Sequence, residues 1–201
     1  MLMQTNHVSQ EQMESRVARF RALQPLAVQQ GNAVPQAARD VVYARKLLSV
    51  IGLDGGAKTP VNSAAPITGA AGMTMTLAVC PPGQGPGLHS HRQTYETFTV
   101  LIGKFEITWN DNGENRLVLE QFDTISIPPG VCRAFRNVGE IEGILQAIIT
   151  GGVHDMTDIA FSANAAATIE AAAPGALKHF TEAGFRFDAG QILSEAQASE
   201  K

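Results

Sequence analysis

Short runs of alternating apolar and polar residues dominate the middle of the chain. The run MTMTLAVC, residues 73–80, predicts a strand with its larger apolar side chains on one face and its threonines on the other. The apolar face consists of Met73, Met75, Leu77 and Val79. Similar runs follow as TYETFTVLI, FEITW, RLVLE, TISIP, CRAFRNV and ILQAIIT, separated by turn signals such as PPG. About eight strands at this spacing predict a mainly β fold, a small closed antiparallel barrel.

A helical pattern precedes the β region. Residues 9–30 carry apolar side chains at the spacing of a helix, and Ser9 with Gln12 forms a capping-box pattern. These signals predict one amphipathic helix that Pro25 ends or kinks. We expect this helix to be an arm packed on the barrel, with a lid or a dimer contact as the alternative.

The remaining segments are less regular. Residues 40–51 fit both the helical and the strand period, and we favour a strand. Residues 52–72 are rich in Gly, Pro, Ala, Asn and Ser, which predicts a long surface loop. The alanine-rich stretch SANAAATIEAAA predicts a short surface helix, and the tail beyond Gln191 is polar. The expected organisation is a helical arm over 1–38, a barrel over 39–152 and an extension over 153–201.

Size and charge favour a small-molecule partner. The 201 residues have room for one globular domain with extensions. A net charge of −4 lacks the positive field that nucleic acid or an anionic membrane requires. The chain shows neither a long apolar run nor a signal-like N-terminus, and Cys80 and Cys132 resemble buried free thiols, so we expect a cytoplasmic protein with no membrane partner.

Three ionisable residues lie close together where the β region begins. His89 and His91 are two positions apart on a strand, so they point to the same face. Glu96 has an odd offset from them, and a turn or bulge must bring it to that face. Its apolar neighbours Phe98 and Val100 make an isolated carboxylate there costly unless a cation compensates it. Two imidazoles and one carboxylate suit Fe(II), Mn(II), Ni(II) or Zn(II), so we predict a divalent metal ion as the cofactor.

The spacing of these residues resembles a known motif. The pattern Gly83-x5-His89-x-His91-x4-Glu96-x6-Gly103 matches the first motif of the cupin superfamily, G-x5-H-x-H-x3,4-E-x6-G, at every fixed position. This resemblance implies a single antiparallel cupin-type β-barrel, a jelly roll, in which the two histidines and the glutamate bind the metal. With the strand pattern, it extends over about residues 73–152.

The second cupin motif, G-x5-P-x-G-x2-H-x3-N, is matched only in part by FDTISIPPGVCRAFRN. Pro128, Gly130 and Asn137 take the motif positions. Phe122 stands where the first glycine would be, and Arg133 stands where the fourth metal ligand, a histidine, would be. The stretch is similar to a cupin subgroup with the same arginine, to which no activity is assigned.

The arginine leaves three interpretations open, because a guanidinium has no lone pair to offer a metal. In the first, three protein ligands hold the metal and leave up to three octahedral positions for water, substrate or dioxygen. In the second, the site is metal-free and Arg133 pairs with Glu96. In the third, Arg133 lines the pocket as a fork for a carboxylate of the ligand.

The resemblance implies a metal-dependent protein that binds a small anionic molecule, expected to be a carboxylate. It would act as a mononuclear non-haem dioxygenase with Glu96 and Arg133 in catalytic roles, or as a non-catalytic binding or sensing protein. Tyr95, Phe98 and Gln146, with Arg133, are the expected substrate contacts. Analogy with cupins that pair through edge strands or arms predicts a homodimer.

One further group follows the last strand. His154, Asp155 and Asp158 offer a possible substitute for the missing ligand. A solvated loop is the preferred interpretation of this segment.

Overall fold

The computed structural model of the chain describes residues 4–53, 59–69, 72–151 and 156–190. In these residues the strands form two sheets, one of six strands and one of five, with helices at both ends of the chain. The predicted mainly β, jelly-roll class is confirmed, as a two-sheet sandwich rather than a closed barrel. None of the described helices is long and apolar enough to cross a membrane.

The larger sheet consists of β1 (Lys46–Gly52), β2 (Ile67–Thr68), β3 (Met73–Cys80), β5 (Tyr95–Ile102), β8 (Thr124–Ile127) and β10 (Gly143–Thr150). Their order across the sheet is β2-β1-β3-β10-β5-β8. The smaller sheet consists of β4 (His89–His91), β6 (Phe105–Trp109), β7 (Asn115–Leu119), β9 (Arg133–Asn137) and β11 (Ile159–Phe161), in the order β11-β4-β9-β6-β7. Among the described strand pairs, β1 with β2 is the parallel one.

The two faces of β3 separate as predicted, but the apolar face is the outer one. Thr74, Thr76 and Ala78 point between the two sheets and line an interior cavity. Leu77 and Val79 lie on the other face, in a cluster that includes Ala18 and Leu23 of the N-terminal segment. The outer face is therefore apolar because the N-terminal segment covers it.

The prediction of one helix over residues 9–30 is wrong. The segment contains α1 (Gln10–Glu14), a 3-10 turn (Phe20–Ala22) and α2 (Ala27–Gln30). The capping box is confirmed, since the backbone N–H of Gln12 donates to Ser9 Oγ at 3.1 Å and that of Ser9 donates to Gln12 Oε1 at 2.7 Å. α1 buries none of its residues. Because packing supplies most helix stability in proteins, the segment instead follows β1, where Pro25 forms a bridge with Leu48.

The next segments also differ from expectation. Residues 40–51 divide between the end of α3 (Gln36–Val42) and β1, so the strand interpretation is right for only part of them. The described part of 52–72 contains α4 (Pro60–Ala64) and β2 as well as loop. The boundary expected between residues 38 and 39 falls inside α3, and the one expected after 152 lies outside the described residues.

The C-terminal segment forms α5 (Ala163–Ala172) and α6 (Ala176–Glu182). The alanine-rich helix is confirmed as α5, but it is more than a surface helix because Ala165 and Ile169 are buried. They share a second apolar core with Ala38 and Val42 of α3 and with Phe180 of α6. The two ends of the chain therefore pack on each other beside the sandwich. The polar tail beyond Gln191 lies outside the described residues.

Candidate metal centre

The two sheets bring the three predicted ligands together. His89 and His91 lie on β4 in the smaller sheet, and Glu96 is the second residue of β5 in the larger sheet. The chain crosses from one sheet to the other between β4 and β5, and this crossing supplies the reversal that the odd spacing requires. Relative exposures of 4% for His89, 5% for His91 and 6% for Glu96 show that all three are buried.

Their separations suit a divalent metal. Oε2 of Glu96 lies 3.4 Å from Nε2 of His89 and 3.5 Å from Nε2 of His91. One ligand atom from each of the three residues fits within 4.8 Å of the others. Ligand atoms around a tetrahedral Zn²⁺ are about 3.4 Å apart, as bond lengths near 2.1 Å require.

Hydrogen bonds set the tautomers of both histidines. Nδ1 of His89 lies 2.9 Å from the carbonyl oxygen of Gly87, and Nδ1 of His91 lies 3.1 Å from Oδ2 of Asp158. A carbonyl or an ionised carboxylate only accepts, so in each ring we assign the proton to Nδ1. In the neutral form of each ring the lone pair of Nε2 then faces Glu96, which is the arrangement that metal-bound histidines use.

Asp158 is a hydrogen-bond partner of His91 at Nδ1. Its carboxylate also accepts hydrogen bonds from the Thr94 hydroxyl at 2.6 Å and from the Gln93 backbone N–H at 2.7 Å. Burial raises the pKa of Asp158, but the bonds from His91, Thr94 and Gln93 outweigh burial and lower it to about 2. Asp158 is therefore ionised at neutral pH. It touches the Nδ1 side of His91 and does not replace the fourth ligand, while His154 and Asp155 lie outside the described residues.

Arg133 is fully buried and is tied to Glu96. Nε of Arg133 donates to Oε2 of Glu96 at 3.0 Å, and Nη1 donates to the carbonyl oxygen of Val131 at 2.8 Å. Nη2 is buried without a partner among the described residues. The arginine does not line the interior cavity. If Arg133 bound a carboxylate of the ligand, Nη2 would therefore be the one guanidinium nitrogen without another partner among the described residues.

Neighbouring charges and burial shift the pKa of Glu96 in opposite directions. Burial raises the pKa of Glu96, but His91, His89 and Arg133 together hold it well below its ordinary value. Burial, together with Arg133 and His89, lowers the pKa of His91 by more than Glu96 and Asp158 raise it. Since a neutral imidazole carries no charge, Arg133 is the permanent cation beside Glu96. The resulting state, an ionised carboxylate and neutral His91, is the one that metal binding requires.

The residues present therefore fit a divalent metal. Three donor groups converge, and the tautomers leave the correct nitrogen atoms free. Buried hydrogen-bond partners hold both rings in place. The nearby guanidinium opposes a dication through Coulomb repulsion, which weakens the site without removing any of its donors.

A cavity of about 500 Å³ opens beside the centre, with His89, His91 and Glu96 in its wall. The other expected substrate contacts do not line it. Tyr95 is 49% exposed, because the residue next to Glu96 points to the opposite face of the strand. Phe98 lies in the core, with its ring centroid 5.2 Å from that of Phe135. Gln146 Nε2 lies 3.3 Å from Sδ of Met75, on the outer face.

Sequence analysis missed several residues that do line the cavity. Tyr43, Phe161 and Phe185 contribute rings to its wall. They lie in segments before and after the β region and follow no motif spacing. Their aromatic character was the one signal available, and many buried rings share it.

The turn positions of the two motifs have the backbone that the pattern implies. Gly83, Gly103 and Gly130 have φ of 78°, 89° and 78°, in the left-handed region that favours glycine. Phe122, at the position of the missing glycine, has φ of 73°. The turn therefore keeps the glycine conformation without the glycine.

Comparison with known proteins supports the same fold. Residues 76–148 match the family model Cupin_2, described as a cupin domain, which confirms the resemblance for this part of the chain. No curated protein matches the chain.

Among solved structures, one from Bacillus halodurans is 22% identical, with 44% of this chain and 70% of that chain covered and a TM-score of 0.41. A double-stranded β-helix protein from Klebsiella pneumoniae is also 22% identical, with 44% and 68% covered and a TM-score of 0.39. A structure described as DMSP lyases is 18% identical, with 59% and 53% covered and a TM-score of 0.45.

Proposed function

We propose that this chain, whose residues 76–148 are a cupin domain, binds one divalent metal ion and holds a small organic molecule beside it. His89, His91 and Glu96 would be the metal ligands. The observation that carries this proposal is the convergence of two imidazole Nε2 atoms on one buried carboxylate, with both Nδ1 atoms engaged by other hydrogen-bond partners.

Each residue would have a defined part. The metal, when bound, supplies a Lewis acid and, if it is iron, a site for dioxygen. Glu96 supplies the negative charge of the ligand set, and Arg133 keeps that carboxylate ionised and oriented through Nε. Asp158 fixes the ring of His91. The mostly apolar wall of the cavity would disfavour water beside the bound molecule.

We propose a mononuclear oxygenase of the dioxygenase type as the enzymatic form of this function. Two histidines and one carboxylate are the ligand set of many non-haem Fe(II) oxygenases, and they leave positions open for substrate and dioxygen. A homodimer in the cytoplasm remains part of the same proposal, and light scattering of the purified protein tests the dimer.

A metal-free binding or sensing protein is the second candidate. The 3.0 Å contact between Arg133 and Glu96 favours it, because the guanidinium already supplies the cation that a buried carboxylate needs. In this form the cavity binds its ligand with no metal contact.

Metal analysis separates the two candidates. Protein purified without a histidine tag, then reconstituted with Fe(II), Mn(II), Ni(II) or Zn(II), is expected to hold about one ion per chain of at least one of these metals. His91→Ala is expected to lose that ion, while His7→Ala, at an exposed histidine, keeps it. Failure to bind any of the four metals would overturn the metal proposal in favour of the second candidate.

Oxygen uptake then tests catalysis. The iron-loaded protein is mixed with a panel of small aromatic acids and diols in an oxygen electrode. Uptake that His91→Ala abolishes supports the oxygenase. A protein that binds iron but consumes no oxygen with any member of the panel supports a non-catalytic metal-dependent binding protein.

A further inference from the structure

The cavity beside the candidate metal centre has a mostly apolar wall. His89, His91 and Glu96 lie in this wall, and it also contains other polar side chains such as Arg39, Asn62 and His179. Apolar side chains form most of the remaining wall, among them Val34, Val42, Ile149, Phe161, Phe180 and Phe185. Its volume of about 500 Å³ lies within the range of pockets that hold drug-sized ligands, and a two-carbon acid would leave most of it empty.

Aromatic rings form a continuous line along this wall. The ring of Phe161 lies 5.3 Å from that of His89, at an interplanar angle of 36°. Phe185 follows at 6.1 Å from Phe161, and Tyr43 meets Phe185 edge-on at 5.8 Å. We call Phe161, Phe185 and Tyr43 the aromatic wall. It begins in contact with a predicted metal ligand, so a ring bound at the metal can pack against it.

Tyr43 adds one polar group to the aromatic wall. Its hydroxyl makes no hydrogen bond with the described residues, although the side chain lines the cavity. Burial raises the pKa of Tyr43 to about 12, so the hydroxyl stays protonated at neutral pH. It can therefore donate one hydrogen bond to a bound molecule.

The aromatic wall lies outside the matched cupin domain. Tyr43 precedes residues 76–148, and Phe161 and Phe185 follow them. The cupin domain thus supplies the metal ligands, while the two packed ends of the chain supply the surface that meets the rest of the ligand.

We infer that the ligand of this site is a largely apolar, ring-bearing molecule that presents one oxygen-containing group to the metal, and that the aromatic wall selects it over small aliphatic acids. This inference rests on the proposed metal function, because it places the polar group of the ligand at His89, His91 and Glu96. It names a substrate class and assigns its recognition to Tyr43, Phe161 and Phe185.

Two carboxylates that differ only in the ring provide the test. Titration calorimetry compares 2-naphthoate with acetate on the Zn(II)-loaded protein. We expect 2-naphthoate to bind at least tenfold more tightly. Phe185→Ala should weaken the binding of 2-naphthoate at least fivefold and leave that of acetate unchanged, while Phe20→Ala, at a half-exposed ring that does not line the cavity, should change neither affinity.

The outcomes separate this inference from the metal proposal. Bound Zn(II) with equal affinities for the two acids overturns the inference and leaves the metal proposal intact. Absence of Zn(II), with 2-naphthoate still bound and still weakened by Phe185→Ala, overturns the metal proposal and supports the aromatic wall. If Phe185→Ala does not fold, Phe185→Leu keeps the apolar volume and removes the ring. Unchanged 2-naphthoate affinity in a folded Phe185 variant shows that the ring only packs the core and overturns the inference.

Discussion

Arg133 donates from Nε to Oε2 of Glu96 at 3.0 Å, and both side chains are buried. The arginine stands where the second cupin motif has a histidine ligand. It contacts the metal-site carboxylate directly instead of reaching into the cavity. The ion pair therefore both holds Glu96 and competes with a metal for it.

Removing the guanidinium should destabilise the metal-free protein. Arg133→Gln leaves Glu96 buried without its permanent cation, and breaking a buried pair in this way costs about 3 kcal/mol of unfolding free energy. Urea unfolding of the EDTA-treated protein measures the loss. Zn(II) should restore more stability to the variant than to the parent, because it binds the folded state without a competing cation. A variant as stable as the parent without metal would contradict this role of Arg133.

Restoring the histidine should strengthen metal binding. Arg133→His removes a positive charge and adds a donor opposite His89 in the strand register. We expect Zn(II) affinity to rise at least tenfold, measured by competition with a chromophoric chelator. Arg133→Gln is the matched control, since it removes the charge and adds no imidazole. Equal affinities for the two variants would show that charge alone limits the site.

Asp158 should act on the metal through His91. Asp158→Asn keeps the shape of the side chain but removes its charge and weakens its hold on the Nδ1 proton. Loss of such a partner lowers metal affinity about 10- to 100-fold. The same chelator competition measures it, with Asp188→Asn, at an exposed aspartate, as the control. An Asp158 variant with unchanged affinity and an intact fold would show that His91 needs no orienting partner.

The strained turn at Phe122 should gain stability from the motif glycine. Phe122 has φ of 73° and is 73% exposed, so its ring contributes little packing. Phe122→Gly removes the strain of the left-handed backbone conformation, but it also raises the conformational entropy of the unfolded chain. Because the strain is the larger effect, we expect a net gain of about 0.5–1 kcal/mol in unfolding free energy. Phe122→Ala keeps the Cβ and should show no such gain. Thermal melts of the three proteins compare them.

Both thiols should resist modification in the folded protein. Burial raises the pKa of Cys80 to about 12, and burial followed by Asp111 raises that of Cys132 to about 11. Because the thiolate is the reactive form, neither cysteine should react appreciably with Ellman's reagent at pH 8. Both should react in guanidinium chloride, because unfolding exposes Cys80 and Cys132, the 2 cysteines of the sequence. Rapid reaction of a native thiol would contradict the burial described for it.

Local pattern was enough to locate most of the strands and the three candidate ligands, whereas β2 and β11 lie in segments where no strand was predicted. The alternation along β3, the crossing between His91 and Glu96, and the left-handed turns at Gly83 and Gly130 all follow from residues near one another in sequence. The same reasoning failed for residues 9–30, where an apolar stripe suggested a helix. Pairing with β1 determined the conformation of that segment, and no pattern within the segment itself indicates this pairing.

The sequence by itself determined the mainly β class, the turns and the spacing of His89, His91 and Glu96, because side-chain alternation and backbone preference act over a few residues. The tertiary structure decided which groups surround them. Asp158 contacts His91, which lies 67 positions earlier in the sequence, and Arg133 contacts Glu96, which lies 37 positions earlier. The aromatic wall likewise joins the two ends of the chain. Contacts over such distances depend on how the sheets and terminal segments pack, and that packing is a property of the whole chain.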